Sequence, residues 1–202
     1  MRVPPGPSTV PPPQEATVKP IVICKHLGPE KVDAYYSLLS GKEVRQVLKA
    51  GGSSSTTPST AFSQAARRKV WRKRFDAEFD KQNEQLALAF LIEWLMAHHR
   101  QMLRDYLDSL EVKHSQGETD EDFCETRTPE QLRDAAKQLM AKYPPHEVAT
   151  YLLLVGHLQE SPIFDETDDL LAALGMPAGE IAGYKAEFSA RWAERKGKKG
   201  AA

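Results

Sequence analysis

Apolar residues recur every three to four positions along most of this chain, the spacing that gathers side chains onto one face of an α-helix. The pattern is longest from Ala61 to Gln116, 56 residues without Gly or Pro. Trp71, Phe75 and Phe79 stand at i, i+4 and i+8. Leu86, Phe90, Leu91, Trp94 and Leu95 follow, then Leu103, Tyr106, Leu107 and Leu110. The stripe loses a beat at Asp80 to Asn83, where Asn83 is suited to cap a new helix, so the stretch reads as two helices or one helix kinked near 80–83. From Leu86 to Met96 apolar residues surround the axis. This segment must therefore be enclosed by other helices, and Glu93 within it needs a partner or a place at the rim.

The flanks carry shorter helices with legible ends. Pro29 fits the first turn of a helix reaching about Leu39, and Ser40 with Glu43 forms a capping box that opens a second short helix closed by Gly51. Val18 to Cys24 is β-branched and apolar and reads as a short extended strip, with Pro20 arguing against a central strand. Lys113 to Thr126 is polar and acidic and reads as a loop. Thr128, Pro129 and Gln131 form a second capping box for a helix ending near Lys142, and Pro144-Pro145 stops it and starts the next, rich in Val, Leu and Tyr to Leu158. Asp165 or Thr167 caps Leu170 to Leu174, Gly175 ends that turn, and Pro177 starts a last helix with Ile181, Tyr184, Phe188 and Trp192.

This pattern predicts an all-α protein: a compact helical bundle around a long central helix, with a flexible N-terminal arm and a small helical hairpin. The divisions are a Pro-rich disordered arm over 1–17, the extended strip and hairpin over 18–50, a Gly/Ser/Thr linker over 51–60, a main helical domain over 61–194 and a basic disordered tail over 195–202. Composition agrees, since 41% hydrophobic and 27% charged residues suffice for a core. Two cysteines a hundred residues apart build no disulfide framework, so reduced thiols in a cytoplasm are expected. The N-terminus lacks the apolar run of a secretory signal. The most apolar stretch, Leu86 to Met96, is far short of the roughly twenty residues that span a bilayer.

Charge changes the picture more than composition does. The net charge of −1 conceals +6 over residues 1–100 and −7 over 101–202. Either a basic face awaits a partner or the two halves attract on folding. The densest basic run is Arg67, Arg68, Lys69, Arg72, Lys73 and Arg74, interleaved with Val70 and Trp71 and followed by Phe75. Cations among aromatics suit phosphates and stacked bases, whereas Asp76 and Glu78 offer i, i+4 partners to Arg72 and Arg74.

No residue set calls for a cofactor or a metal. Glu118, Asp120 and Asp122 alternate as ligands of hard cations do, and Asp165 to Asp169 is similar in kind, but neither has the spacing of a calcium loop, and helix N-caps explain both. The histidines lack zinc-ligand spacing, Cys124 lies among anions that suppress its thiolate, and no phosphate loop or serine elbow is present. Three readings follow. The first is a non-catalytic helical module that binds a protein partner, and the second is a nucleic-acid-binding protein using the basic aromatic helix 67–75. The third is a metal-dependent enzyme using acidic loops 118–122 and 165–169.

Overall fold

Asn83 closes one helix and opens another at the place where the apolar stripe loses its beat. The computed structural model describes residues 17–53, 63–159 and 167–186. Its helices are α1 (Pro20–Leu38), α2 (Gly41–Ala50), α3 (Gln64–Asp80), α4 (Glu84–His98), α5 (Arg100–Ser109), α6 (Phe123–Thr126), α7 (Pro129–Lys142), α8 (Pro145–Leu158) and α9 (Thr167–Ala173). A further helix, α10, runs over 178–186. The described residues contain no strand, only an isolated bridge between Ser115 and Glu118, so the chain is all-α. No described helix is long and apolar enough to cross a membrane.

The long central helix is three helices. At the first joint Gln82 takes a left-handed φ of 56°, and Asn83 Oδ1 accepts from Leu86 N at 3.1 Å, which satisfies a free donor of the new first turn. The second joint, at His99, has no Gly or Pro to announce it. There φ is −125°, and the His99 ring packs 4.4 Å from Trp94 and 3.3 Å from the Glu147 carboxylate, so packing from another helix sets the bend. The third helix ends at Ser109, a few residues before the loop expected from Lys113. Glu111 turns left-handed at φ 53°, Val112 N bonds back to Leu107 O at 2.9 Å, and Arg127 donates to Leu110 O at 2.8 Å and Glu111 O at 3.2 Å. A side chain seventeen residues downstream thus takes up carbonyls that a helix end leaves free.

Residues 18–24 correct another expectation. Lys19 is extended, but the chain is helical from Pro20, because Pro fits a first helical turn and Ile21, Ile23, Cys24 and Leu27 are buried. Burial overrides the strand preference of the β-branched residues. α1 bends at Gly28, φ 80°, and Pro29 then begins its second segment. Both capping boxes form: Ser40 N donates to Glu43 at 2.6 Å, and Thr128 N to Gln131 at 2.9 Å.

α4 is the hub, touching α1, α2, α3, α5 and α8, as its all-round apolar surface requires. Its Leu86, Phe90, Leu91 and Trp94 are fully buried, and one hydrophobic cluster runs from Val18 through Met176. At the close approach of α2 to α4, a Cβ on Gly51 would lie 2.8 Å from Leu86 Cβ, so only glycine fits. The arm before Thr17, linker residues 54–60, Phe188, Trp192 and the tail over 195–202 lie outside the described residues.

Candidate functional site

The basic face of α3 is turned largely toward the rest of the chain. Trp71 and Phe75 are buried and Phe79 half-buried, with Phe75 packed on Phe79 and Phe90. Arg45 lies over the Trp71 ring. Arg68 donates to the carbonyls of Ser37 at 3.0 Å and Leu39 at 2.8 Å, occupying the C-terminal end of α1, where a cation is favoured. Arg72 pairs with Asp76 at 2.7 Å and with Asp33, and its guanidinium covers the Tyr36 ring at 4.9 Å. Arg67 and Arg74 are half-buried, and Lys69 and Lys73 are exposed. Sequence reasoning found the partner within the helix, Asp76, and missed Asp33, 39 positions upstream.

A second feature carries more surface. Between α4, α5 and α8, an open groove of about 1080 Å3 is edged by residues 113–122. Three apolar pairs at i, i+4 spacing line it: Ile92 and Met96 on α4, Leu103 and Leu107 on α5, Leu154 and Leu158 on α8. Leu158 is 52% exposed, one of the few large apolar side chains turned outward. A groove above the roughly 300–1,000 Å3 of small-molecule pockets, with helical walls, has the scale of a peptide seat.

The edge of this groove is built by a tight turn. Ser115 and Glu118 exchange backbone hydrogen bonds at 2.8 and 3.0 Å around Gln116 and Gly117, both at positive φ (57° and 91°). Two such residues make the type I′ geometry that joins paired strands. His114 holds the turn from inside: its Nδ1 accepts from Gly117 N at 3.2 Å, which leaves Nε2 as the protonated nitrogen donating to Asp108 at 3.0 Å. Thr119 Oγ1 donates to Lys113 O at 2.8 Å. Gln159, following α8, closes the far end by accepting from Cys124 N at 3.0 Å and donating to Glu121 O at 3.1 Å.

The carboxylates of the edge are unevenly engaged. Glu121 pairs with Arg127 at 3.4 Å. Glu118, Asp120 and Asp122 are exposed and form no salt bridge among the described residues. Glu93, on the groove wall, has its pKa raised by burial, with Glu43 adding and Lys42 opposing. Arg100 and Lys113 are the cations of the lining, so acid predominates.

The remaining candidate chemistry is dispersed. Among the described residues no three His, Cys, Asp or Glu side chains gather as a metal site requires; Asp165 and Glu166 lie outside them, and Asp168 pairs with Lys185 at 2.6 Å. Cys24 and Cys124 are buried free thiols. Burial, with Asp122 adding, pushes the Cys124 pKa up to about 12, and burial with Glu84 raises that of Cys24, which disfavours the thiolate in both. His99 has its pKa lowered to about 4 by burial, with His98 and His146 adding. Comparison of the chain with family models, curated proteins and solved structures gives no match.

Proposed function

We propose that this chain is a non-catalytic helical interaction module that holds a protein partner in the groove between α4, α5 and α8. The observation that carries the reading is the accessible apolar lining of that groove, Ile92, Met96 and an outward-turned Leu158, beside Glu118, Asp120 and Asp122, which form no salt bridge among the described residues. Exposed apolar surface framed by polar residues is the usual mark of a protein-binding face. The test is co-purification of a stoichiometric partner with the full chain and with Leu158→Glu. Because Leu158 is half-exposed, that substitution leaves the fold intact, as an unchanged thermal midpoint will verify. Loss of the partner supports the reading, and retention at full stoichiometry counts against it.

The nucleic-acid reading draws less support from α3. Rings that stack on bases need a free face, and Trp71 and Phe75 are inside the core. Phosphate contact through this helix would fall chiefly to Lys69 and Lys73, the two exposed cations of the run. Two phosphate contacts give only a shallow salt dependence.

A further inference from the structure

We propose that the partner segment seated in the groove is a basic amphipathic helix, its apolar stripe on the groove floor and its Lys and Arg residues against the edge formed by 118–122. The proposal rests on the docking reading above and names the chemistry of the occupant. Two observations select it. The accessible part of the floor is Ile92 and Met96, one turn apart on α4, with Leu158 on α8, over the buried Leu103, Leu107 and Leu154, and a row of side chains spaced at helical intervals fits along it between the helical walls. An extended peptide gains affinity chiefly by adding to a sheet edge, and the described residues contain no strand to offer one.

Charge then fixes the sign. Glu118, Asp120 and Asp122 stand exposed along one side of the groove and form no salt bridge among the described residues, and Glu93 adds a fourth carboxylate on the wall. The cations on the lining, Arg100 and Lys113, are fewer than these four carboxylates, so the edge stays net acidic. Glu121 is already paired with Arg127 and is counted out. A cationic flank on the incoming helix is steered to this edge, and an anionic one is repelled.

The test uses the full chain and three synthetic eighteen-residue peptides with one Leu stripe at helical spacing, the polar positions filled by Lys, by Glu or by Gln. Fluorescence anisotropy is read at about 50 and about 300 mM salt, which moves the Debye length from well over to well under ~10 Å. The expected result is binding of the Lys peptide at least tenfold tighter than the Gln peptide, and none of the Glu peptide. The Lys advantage shrinks at high salt and disappears in the triple variant Glu118→Gln, Asp120→Asn, Asp122→Asn, whose exposed sites do not hold the fold. Equal or tighter binding of the Glu or Gln peptide overturns the charge assignment and leaves the docking reading standing. No binding of any peptide overturns the inference, and the Leu158→Glu co-purification then decides the reading alone. A concentration-dependent dimer dissolved by Leu158→Glu overturns it in favour of a second copy of the chain. A carbodiimide cross-link within the isolated chain from Asp120 or Asp122 to a lysine beyond residue 186 overturns it in favour of an internal occupant.

Discussion

Tyr35 lies flat on Trp94, ring centroids 3.7 Å apart and planes within 11°, and this stack joins α1 to the hub helix. Both rings are buried, yet neither Tyr35 Oη nor Trp94 Nε1 has a hydrogen-bond partner among the described residues. The packing and the polar atoms therefore pull in opposite directions. Replacing Trp94 by Ala removes the stack and opens a cavity at the hub, a loss of about 3–5 kcal/mol in chemical denaturation. Tyr35→Phe keeps the ring and removes the orphan hydroxyl, so stability is expected to hold or rise. A loss above about 1 kcal/mol in Tyr35→Phe would reveal a partner for that hydroxyl and refute the account.

Arg72 separates the two roles of the basic run. Its guanidinium pairs with Asp33 on α1 and Asp76 on its own helix while covering Tyr36. Arg72→Ala should cost about 1 kcal/mol, because the pairs are partly solvated but the stacked fork joins two helices. Arg72→Lys should recover little of it, since an ammonium cannot reproduce the planar two-sided geometry. Lys69→Ala and Lys73→Ala, at exposed positions, should change stability by no more than about 0.5 kcal/mol. Urea midpoints for the four variants check the ordering, and equal losses at Lys73 and Arg72 would refute it.

What could be read from the sequence and what could not divide along a physical line. Local signals held: the Ser40 and Thr128 capping boxes, Pro29 and Pro145 at first turns, and Asn83 as a cap all depend on residues within four positions of each other. Features set across the fold escaped it. The bend at His99 answers to Glu147, 48 positions away, and the early end of α5 to Arg127, neither of which leaves a Gly or Pro behind. The groove was hidden for the same reason, since its floor assembles three apolar pairs from different helices that each read as ordinary core. Its edge was partly visible: Glu118, Asp120 and Asp122 stood out as an acidic alternation, whereas Gln159, which bonds Glu121 from 38 positions away, had no local signature.

His99 links packing to pH. Burial, with His98 and His146 adding, lowers its folded-state pKa to about 4. An unfolded histidine takes up a proton near pH 6.5, so below that value the unfolded chain binds more protons than the folded one. The contribution is fully present above about pH 6.5 and is lost progressively as pH falls toward about 4. Glu147, whose pKa burial raises, opposes this slope, because the folded state holds its proton more readily. His99→Gln is expected to flatten the acid limb of urea midpoint against pH, and Glu147→Gln to steepen it. An unchanged acid limb in His99→Gln would show that other groups control it.

Gly117 ties the groove edge to its floor. At φ 91° it occupies a region unfavourable to side chains, and a Cβ there would come 2.9 Å from Leu103 Cβ and 3.5 Å from Arg100 O. Strain and close approach act together, so Gly117→Ala must either push Leu103 into the groove or lift the turn away from α5. Lifting the turn also stretches the bond from Gly117 N to His114 and moves Glu118 away from its place at the edge. The expected cost is about 1–3 kcal/mol of local stability. It should be largely confined to the turn, because, of the cluster beneath it, the added Cβ meets only Leu103. Hydrogen exchange should therefore show faster amide exchange over 114–121 with little change in α4 or α8. Unaltered protection at the Ser115 and Glu118 amides would mean that the turn tolerates a side chain, and the close approach of Gly117 to Leu103 would not be what fixes the groove edge.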